Sequence, residues 1–369
     1  MSRKITVLVL FGGRSAEHEI SLLSARFIVQ SLDPQRFTPL LVGIDKQGRW
    51  QLQTSHALLS ASTDARLVRL SDGPQVTFNP WPSGTDRGVL QIEGHADAAF
   101  DVVFPILHGP LGEDGALQGL LELAAVPYVG AGVLGSAVGM DKDVMKRLLL
   151  QAGLPVLPYV VLRKAEYFAD AQKALATTAD LKGPLFVKPA NMGSSVGVSR
   201  VVDVQDLASA VEAAFEYDEK IVIEQGLHGP REVECAVLGG AHGTVSTPGE
   251  ILVHHPDGFY SYAAKYLDDG ATTRIPAELS AQETKTAQEL AQRAFDVLAC
   301  QGLARVDLFM DKDRSLYVNE INTMPGCTAV SMYPKMMAHS GVDGQQLVTH
   351  LIDDALARAA SRKALRSSK

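Results

Sequence analysis

This sequence predicts a multidomain α/β protein. An open parallel sheet stands at the N-terminus, a small α+β unit follows, and an α+β unit on an antiparallel sheet ends the chain. Three observations predict it. Residues 1–139 alternate apolar runs with helix-spaced patterns, the βαβ rhythm of a parallel sheet. Residues 184–224 hold two short apolar strands around a loop of small residues and a helix. Beyond 230, strand-like segments follow one another closely, as antiparallel neighbours do. At 369 residues the chain exceeds one small core, and a prior of about 150 residues per domain gives two or three. The expected boundaries are 1–139, 140–230 and 231–369.

The elements follow in order. Ile5–Phe11 is a continuous apolar run ended by Gly12-Gly13, as expected of a strand buried on both faces. Ile20–Leu32 has helical spacing, Phe37–Ile44 and Asp101–Leu107 read as further strands, and Pro127–Val129 as a short fourth. Residues 51–96 read as an insertion of short strands and turns. A helix is expected over Lys142–Ala152, then strands in PLFVKP and KIVIEQ with a helix near 204–216. EVECAVLG and GTVSTPGEI suggest the antiparallel sheet. A glycine- and tyrosine-rich loop (257–270), a helix (Ser280–Leu298), a hairpin (Leu303–Ile321) and a helix from about Gly344 complete the chain.

Composition narrows the function. The chain is 46% hydrophobic and 21% charged, with a formal net charge of −8. An acidic balance disfavours nucleic acid and membrane surfaces as partners, both being anionic. Cys235, Cys300 and Cys327 are widely spaced with no CxxC pair, which indicates neither a disulfide framework nor a structural zinc site and fits a reducing cytoplasm. The short apolar run near the start ends in Gly-Gly, so it reads as a first strand rather than a signal peptide.

The most specific chemistry lies in ARVDLFMDKDRSLYVNEINTMPG. Arg305 and Asp307 are two apart, so on a strand they share a face, as do Glu320 and Asn322 on the returning strand. The DKDR turn sets Asp307 nearly opposite Glu320. Two neighbouring carboxylates repel unless a proton or cation sits between them. An all-oxygen donor set suits a hard ion such as Mg²⁺. The plainer alternative is a polar face open to water, but the apolar LFM and LYV around these acids favour burial.

Upstream, PLFVKPANMGSSVGVSRV places Gly193, Ser194, Ser195 and Gly197 where backbone amides can approach phosphate oxygens, with Lys188 as a nearby cation. GxxxxGK[ST] is absent, so this is not a P-loop. Alone it would be a surface hairpin, and Lys142, Lys188 and Lys265 would be solvated lysines. Together with a hard-metal hairpin, the loop supplies the other half of a magnesium-nucleotide site. VIEQGL (222–227) offers backbone groups to a purine edge, with Glu224 or Glu232 for its amino group or ribose.

Taken together, these segments resemble the ATP-grasp superfamily and, within it, the D-alanine–D-alanine ligases. The resemblance runs from GGRSAEHEISLLSA (12–25) through HGPLGEDGALQG (108–119), MDK (140–142), FVKPANMGSSVGVS (186–199), REVECAVLG (231–239), FYSYAAKY (259–266) and RVDLFMD (305–311) to NTMPGCTAVSMYP (322–334). It implies an ATP-grasp fold whose N-terminal domain binds the first amino acid, with a central ATP-binding domain. The C-terminal domain would carry the magnesium site and the second substrate site. It implies Asp307, Glu320 and Asn322 as ligands of two Mg²⁺ ions (Mn²⁺ substituting), with Glu320 bridging. Lys142, Lys188 and Lys265 would contact ATP phosphates, with Ser194 and Ser195 in the loop over them and Glu224 and Glu232 on the adenosine side. Glu17 would hold the ammonium of the first D-alanine, with Ser194 and Tyr266 hydrogen-bonded to it. Arg305 and the Gly326 amide would stabilise developing negative charge, Ser331 would receive the second carboxylate, and His108 would lie near the first substrate.

Each residue has a plainer role if taken singly: Glu17 an acid favouring a helix dipole, His108 a bonded loop histidine, Tyr266 a packed aromatic, Ser331 a helix cap. The loop departs from the commonest pattern in its neutral Asn191-Met192, and Met332-Tyr333 follow Ser331 as in a subset of the family. The resemblance further implies a cytoplasmic homodimer using D-alanine and ATP. A D-alanine–D-lactate ligase is the near alternative, disfavoured by a tyrosine at 266 where the family associates ester formation with histidine. A non-catalytic nucleotide- or amino-acid-binding module is the other. A dehydrogenase is disfavoured because GGRSAE lacks the GxGxxG spacing.

Overall fold

The computed structural model describes residues 3–80, 87–240, 243–254 and 270–365. In the N-terminal region β1 (Ile5–Gly12), α1 (His18–Ser31), β2 (Phe37–Ile44), β3 (Trp50–Gln53) and α2 (Ser55–Ser60) come first. They are followed by β4 (Val76–Asn79), β5 (Gly88–Ile92), β6 (Ala98–Phe100), β7 (Val102–Pro105), α3 (Ala116–Leu123) and α4 (Val133–Met140). The main sheet has the order β3-β2-β1-β7, parallel except at its β3 edge. The expected strand at Pro127–Val129 is reduced to one parallel bridge between Val103 and Tyr128. The insertion over 51–96 forms a small antiparallel sheet, β4-β5-β6, and also one short helix, α2. At Gly12 (φ +91°) the chain turns off β1 so tightly that a Cβ would lie 2.2 Å from the Ile44 carbonyl oxygen. Only glycine fits there, and the turn delivers Glu17 at the start of α1 to the carboxyl end of the sheet, where ligands of such sheets bind.

The middle region contains α5 (Lys142–Gln151), β8 (Tyr159–Arg163), α6 (Lys164–Ala169), α7 (Ala171–Ala176), β9 (Leu185–Pro189), β10 (Ser199–Val201), α8 (Leu207–Ala214) and β11 (Lys220–Gln225). Its sheet, β10-β9-β11-β8, is antiparallel. The C-terminal region follows with β12 (Arg231–Leu238), β13 (Thr244–Val245), β14 (Gly249–Val253), β15 (Ala271–Arg274), α9 (Ala281–Val297), β16 (Leu303–Met310), β17 (Leu316–Asn322), α10 (Met332–His339) and α11 (Gly344–Lys363). Its sheet has the order β15-β14-β12-β16-β17, with β13 paired to β12.

The inward residues of β12, β16 and β17, among them Val233, Val306, Leu308 and Val318, pack against Ala287, Ala291 and Ala294 of α9. The opposite face of this sheet is therefore left to line a cleft. α11 packs back on the N-terminal region, joining Leu347 and Leu351 to the core around Leu22 and Ile28. No helix among the described residues is long and apolar enough to cross a membrane.

Candidate active site

The hairpin register decides which side chains meet. β16 and β17 pair Arg305 with Asn322 and Asp307 with Glu320, as the two-residue spacing predicts. Between Asp307 and Leu308 the register shifts, because Leu308 opposes Val318 and Asn319 is extra. A bulge of this kind re-aims a side chain. Here it brings the Asn319 Oδ1 within 3.3 Å of Lys188 Nζ, its donor. On the other flank β12 pairs Glu234 with Asp307. Glu234, Asp307 and Glu320 thus form a row across three strands. Arg305, one row along on the same face of β16, donates to both Asp307 oxygens at 2.7 Å, with Glu234 Oε2 3.3 Å from its Nε.

Two adjoining cavities lie along the cleft, and Lys142, Met192, Glu234 and Glu320 line both. The first, of about 320 Å³, is lined by Glu17, His108, Glu113, Gly193, Ser194, Arg305, Asn322, Gly326 and Ser331. The second, of about 410 Å³, is lined by Lys188, Ser195, Glu224, Glu232, Asp307 and Asn319, with apolar Phe186, Leu227 and Leu308. Both volumes suit small ligands.

In the first cavity, Ser194 Oγ donates to Glu17 Oε1 and so ties the loop to the N-terminal domain. Ser194 and Ser195 both adopt left-handed backbone (φ 51° and 59°), which is uncommon for residues with a Cβ and marks a loop held by its contacts. Glu113 is buried (6% exposed) and accepts a hydrogen bond from the Gly109 amide at 2.7 Å. Burial, then the nearby charge of Glu17, push its pKa up to about 8. His108 is buried and bridges two regions. Its Nδ1 lies 2.9 Å from the Met324 carbonyl, so that nitrogen carries the proton, and Nε2 accepts from Ser24 Oγ at 3.1 Å. Ser24 Oγ in turn accepts from the Cys327 amide at 3.2 Å, so His108 and Ser24 fix the loop carrying Gly326. Burial lowers the His108 pKa and keeps the ring neutral. Ser331 precedes α10 but does not cap it with its side chain. Its hydroxyl instead accepts from the Thr328 amide at 3.0 Å and faces Gly326, where a Cβ would come within 3.2 Å of it.

In the second cavity Glu224 is 1% exposed and both its oxygens are engaged by lysines, Lys146 on one and Lys188 at 2.6 Å on the other. Burial alone would raise its pKa, but the two ammonium groups outweigh that and hold it low. Lys188 is likewise opposed by burial, yet Glu224 keeps it charged. Lys142 donates to the Met192 carbonyl at 2.6 Å and lies 3.9 Å from Glu320, between the two cavities. Lys265 and Tyr266 lie outside the described residues, as does all of the 257–270 loop except Gly270.

The hairpin suits a hard cation in chemistry. Among the described residues no group of three or more His, Cys, Asp and Glu side chains gathers around one point. The expected set is two carboxylates and an amide, all oxygen donors. The row of three carboxylates is offset only in part by Arg305 and Lys142, and a divalent ion beside Asp307 and Glu320 would offset the rest. Sequence reasoning missed Glu113, Glu234, Lys146 and Asn319. Lys146 is one helical turn beyond Lys142, and Glu234 shares the strand face of Glu232, so both carried a periodicity signal.

Comparison with known proteins gives the family. Residues 6–131 match the family described as D-ala D-ala ligase N-terminus, and residues 148–353 match D-ala D-ala ligase C-terminus. A D-alanine–D-alanine ligase A of Chromobacterium violaceum is 47% identical over 99% of both chains. A D-alanine–D-alanine ligase of Methylobacterium sp. is 50% identical over 96% of this chain and 92% of its own. Among solved structures, the D-alanine–D-alanine ligase from Coxiella burnetii aligns with a TM-score of 0.84 at 37% identity, covering 98% of this chain and 97% of that one. A D-Ala:D-Ser ligase from Enterococcus faecalis aligns at 0.82 and 34% identity, covering 96% and 100%. Two family models over most of the chain, and relatives alike from end to end, mean that this chain belongs to the D-alanine–D-alanine ligase family.

Proposed function

We propose that this chain joins two D-alanine molecules into D-alanyl-D-alanine at the expense of ATP, through a D-alanyl phosphate, for peptidoglycan precursor synthesis. The observation that carries the reading is the pair of adjoining cavities. One is lined by the acids and donors an amino acid needs, the other by the lysines a polyphosphate needs, and Lys142 and Glu320 line both.

Glu17 would bind the ammonium of the first D-alanine, with Ser194 fixing the orientation of its carboxylate. The carboxylate of that substrate would then lie toward Arg305, at the boundary with the second cavity. A carboxylate resists attack by an amine because it is charged and resonance-stabilised, so its oxygen first takes the γ-phosphoryl of ATP, which releases ADP. Lys142 and Lys188, with Lys265, would position the phosphates and offset their charge. Asp307, Glu320 and Asn322 would hold Mg²⁺, with Mn²⁺ as a substitute, and the bound metal would neutralise charge on the phosphate oxygens. The second D-alanine, its carboxylate at Ser331, attacks as a free amine. Arg305 and the Gly326 N–H would stabilise the tetrahedral oxyanion, whose collapse expels phosphate. The loop that Ser194 ties to Glu17 would keep water from the acyl phosphate.

By family resemblance we infer a homodimer working in the cytoplasm with these small-molecule substrates alone. Mass identification of the product from ATP, Mg²⁺ and D-alanine, with D-lactate and D-serine as competitors, tests the reading. A mass of D-alanyl-D-alanine with one phosphate released per product is expected. An ester or mixed product would reassign the second substrate, and no phosphate release would make the chain a binding module.

A further inference from the structure

Asp307 faces two demands at once. Both its oxygens are taken by Arg305 at 2.7 Å, yet the proposed chemistry asks it to hold a metal ion and asks Arg305 to face an oxyanion. A carboxylate that turns to a cation releases its guanidinium. Arg305 is largely buried, and a buried guanidinium left with no carboxylate partner is strongly disfavoured. Something must receive it.

Glu234 is placed to do so. It lies directly across β12–β16 from Asp307, is 4% exposed, and has Oε2 3.3 Å from Arg305 Nε. Charge-assisted N–H···O bonds are shorter than this, so a shift of about 0.5 Å would close a direct bond. On the other side Asp307 opposes Glu320, and Arg305 opposes Asn322. Arg305 therefore has a carboxylate on its β12 flank, the side opposite Glu320 and Asn322 on β17.

We propose that Glu234 is a positioning residue that takes over Arg305 when Asp307 turns to the metal, holding the guanidinium toward the reacting acyl group. Glu234 itself touches neither substrate nor metal in this scheme. The proposal rests on the metal role of Asp307 put forward above. It predicts that metal loading and the orientation of Arg305 are linked through one side chain. Without Glu234, freeing Asp307 strands Arg305, so Asp307 stays with the arginine and the metal binds weakly.

The test measures Mn²⁺ binding to the full-length protein with ADP by electron paramagnetic resonance, together with steady-state kinetics, for Glu234→Gln and Glu234→Asp. Asp keeps the charge but is shorter by one methylene, about 1.5 Å of reach. Both variants should weaken Mn²⁺ binding about tenfold and lower kcat about tenfold, with KM for the first D-alanine within about twofold. If Glu234→Asp matches the native protein, only the charge matters and the proposal is overturned. Native-like Mn²⁺ binding in both variants overturns it too. Should Glu234→Gln fail to fold, Glu234→Asp decides alone, by the same two readouts. Asp307→Asn separates the underlying reading: if it binds Mn²⁺ as the native protein does, the metal assignment falls and this proposal with it. If Asp307→Asn loses binding while the Glu234 variants keep it, only the proposal falls.

Discussion

In the second cavity Glu224 sits between Lys146 and Lys188 with both oxygens engaged, whereas in the first the carboxyl groups of Glu17 and Glu113 both approach the same point beside Gly193, within 3.2 and 3.8 Å. The second holds two lysines already placed on one buried carboxylate, a preassembled cationic floor. The first is crowded with acid, and Glu113 responds by holding its proton. The difference teaches that the two halves await ligands of opposite charge. A polyphosphate meets lysines already positioned by Glu224, while an ammonium group enters beside two neighbouring carboxyl groups and gains from offsetting their charge.

The sharpest way to break that contrast is at the hairpin between the cavities. Asp307→Asn is expected to cut magnesium-dependent turnover by about 10³-fold, since charge stabilisation of the transferring phosphoryl would go with it. A magnesium titration of steady-state rates checks this, and unchanged activity would remove Asp307 from any metal role. Next comes the cationic floor. Glu224→Ala leaves two buried ammonium groups facing each other and should destabilise the fold by about 3–5 kcal/mol, read from urea unfolding. A loss below about 1 kcal/mol would mean that the lysines are well solvated and the floor is not preassembled. In the acid-rich half, Glu17→Gln should raise KM for the first D-alanine by about 10–100-fold with kcat little changed, the pattern of a lost charge-assisted contact. Native affinity in that variant would leave Glu113 as the principal acid of the subsite.

The hairpin shows how far sequence alone reaches. Period-two spacing placed Arg305, Asp307, Glu320 and Asn322 on one face, because alternation along a strand is a local property. The Asn319 bulge was not legible, since it depends on which residues pair across strands, and register is a tertiary fact. Glu234 had the right spacing from Glu232, but its closeness to Arg305 requires knowing that β12 lies beside β16. Lys146 was hidden for a similar reason: a lysine in a helix reads as solvated until β9 and β11 are seen to bury it against Glu224. Helices α3, α4 and α10 also went unassigned. They are eight residues long, and each adjoins a glycine- or proline-containing loop that blurs its apolar period.

Glu113 offers the finest test, because it concerns charge without any change of shape. Its carboxyl titrates near the ordinary value of 4.5 in the unfolded chain and near 8 in the fold, chiefly through burial and then through Glu17. Below pH 4.5 both states are protonated and the group contributes nothing. As pH rises from 4.5 toward 8 the unfolded chain loses the proton while the native state keeps it, so stability falls across that window and levels off above it. Gln keeps the oxygen that accepts from the Gly109 amide and has no proton to lose. Glu113→Gln should therefore match the native protein at pH 4 and gain about 3–6 °C in Tm at pH 8, by scanning calorimetry of the ligand-free protein. An equal gain at both pH values would trace the effect to packing rather than to charge. Saturating D-alanine should narrow the gap at pH 8 in part, because an ammonium beside Glu17 offsets the second cause, after burial, that makes Glu113 hold its proton. A gap that D-alanine leaves untouched would place the ammonium elsewhere and dissolve the contrast between the two cavities.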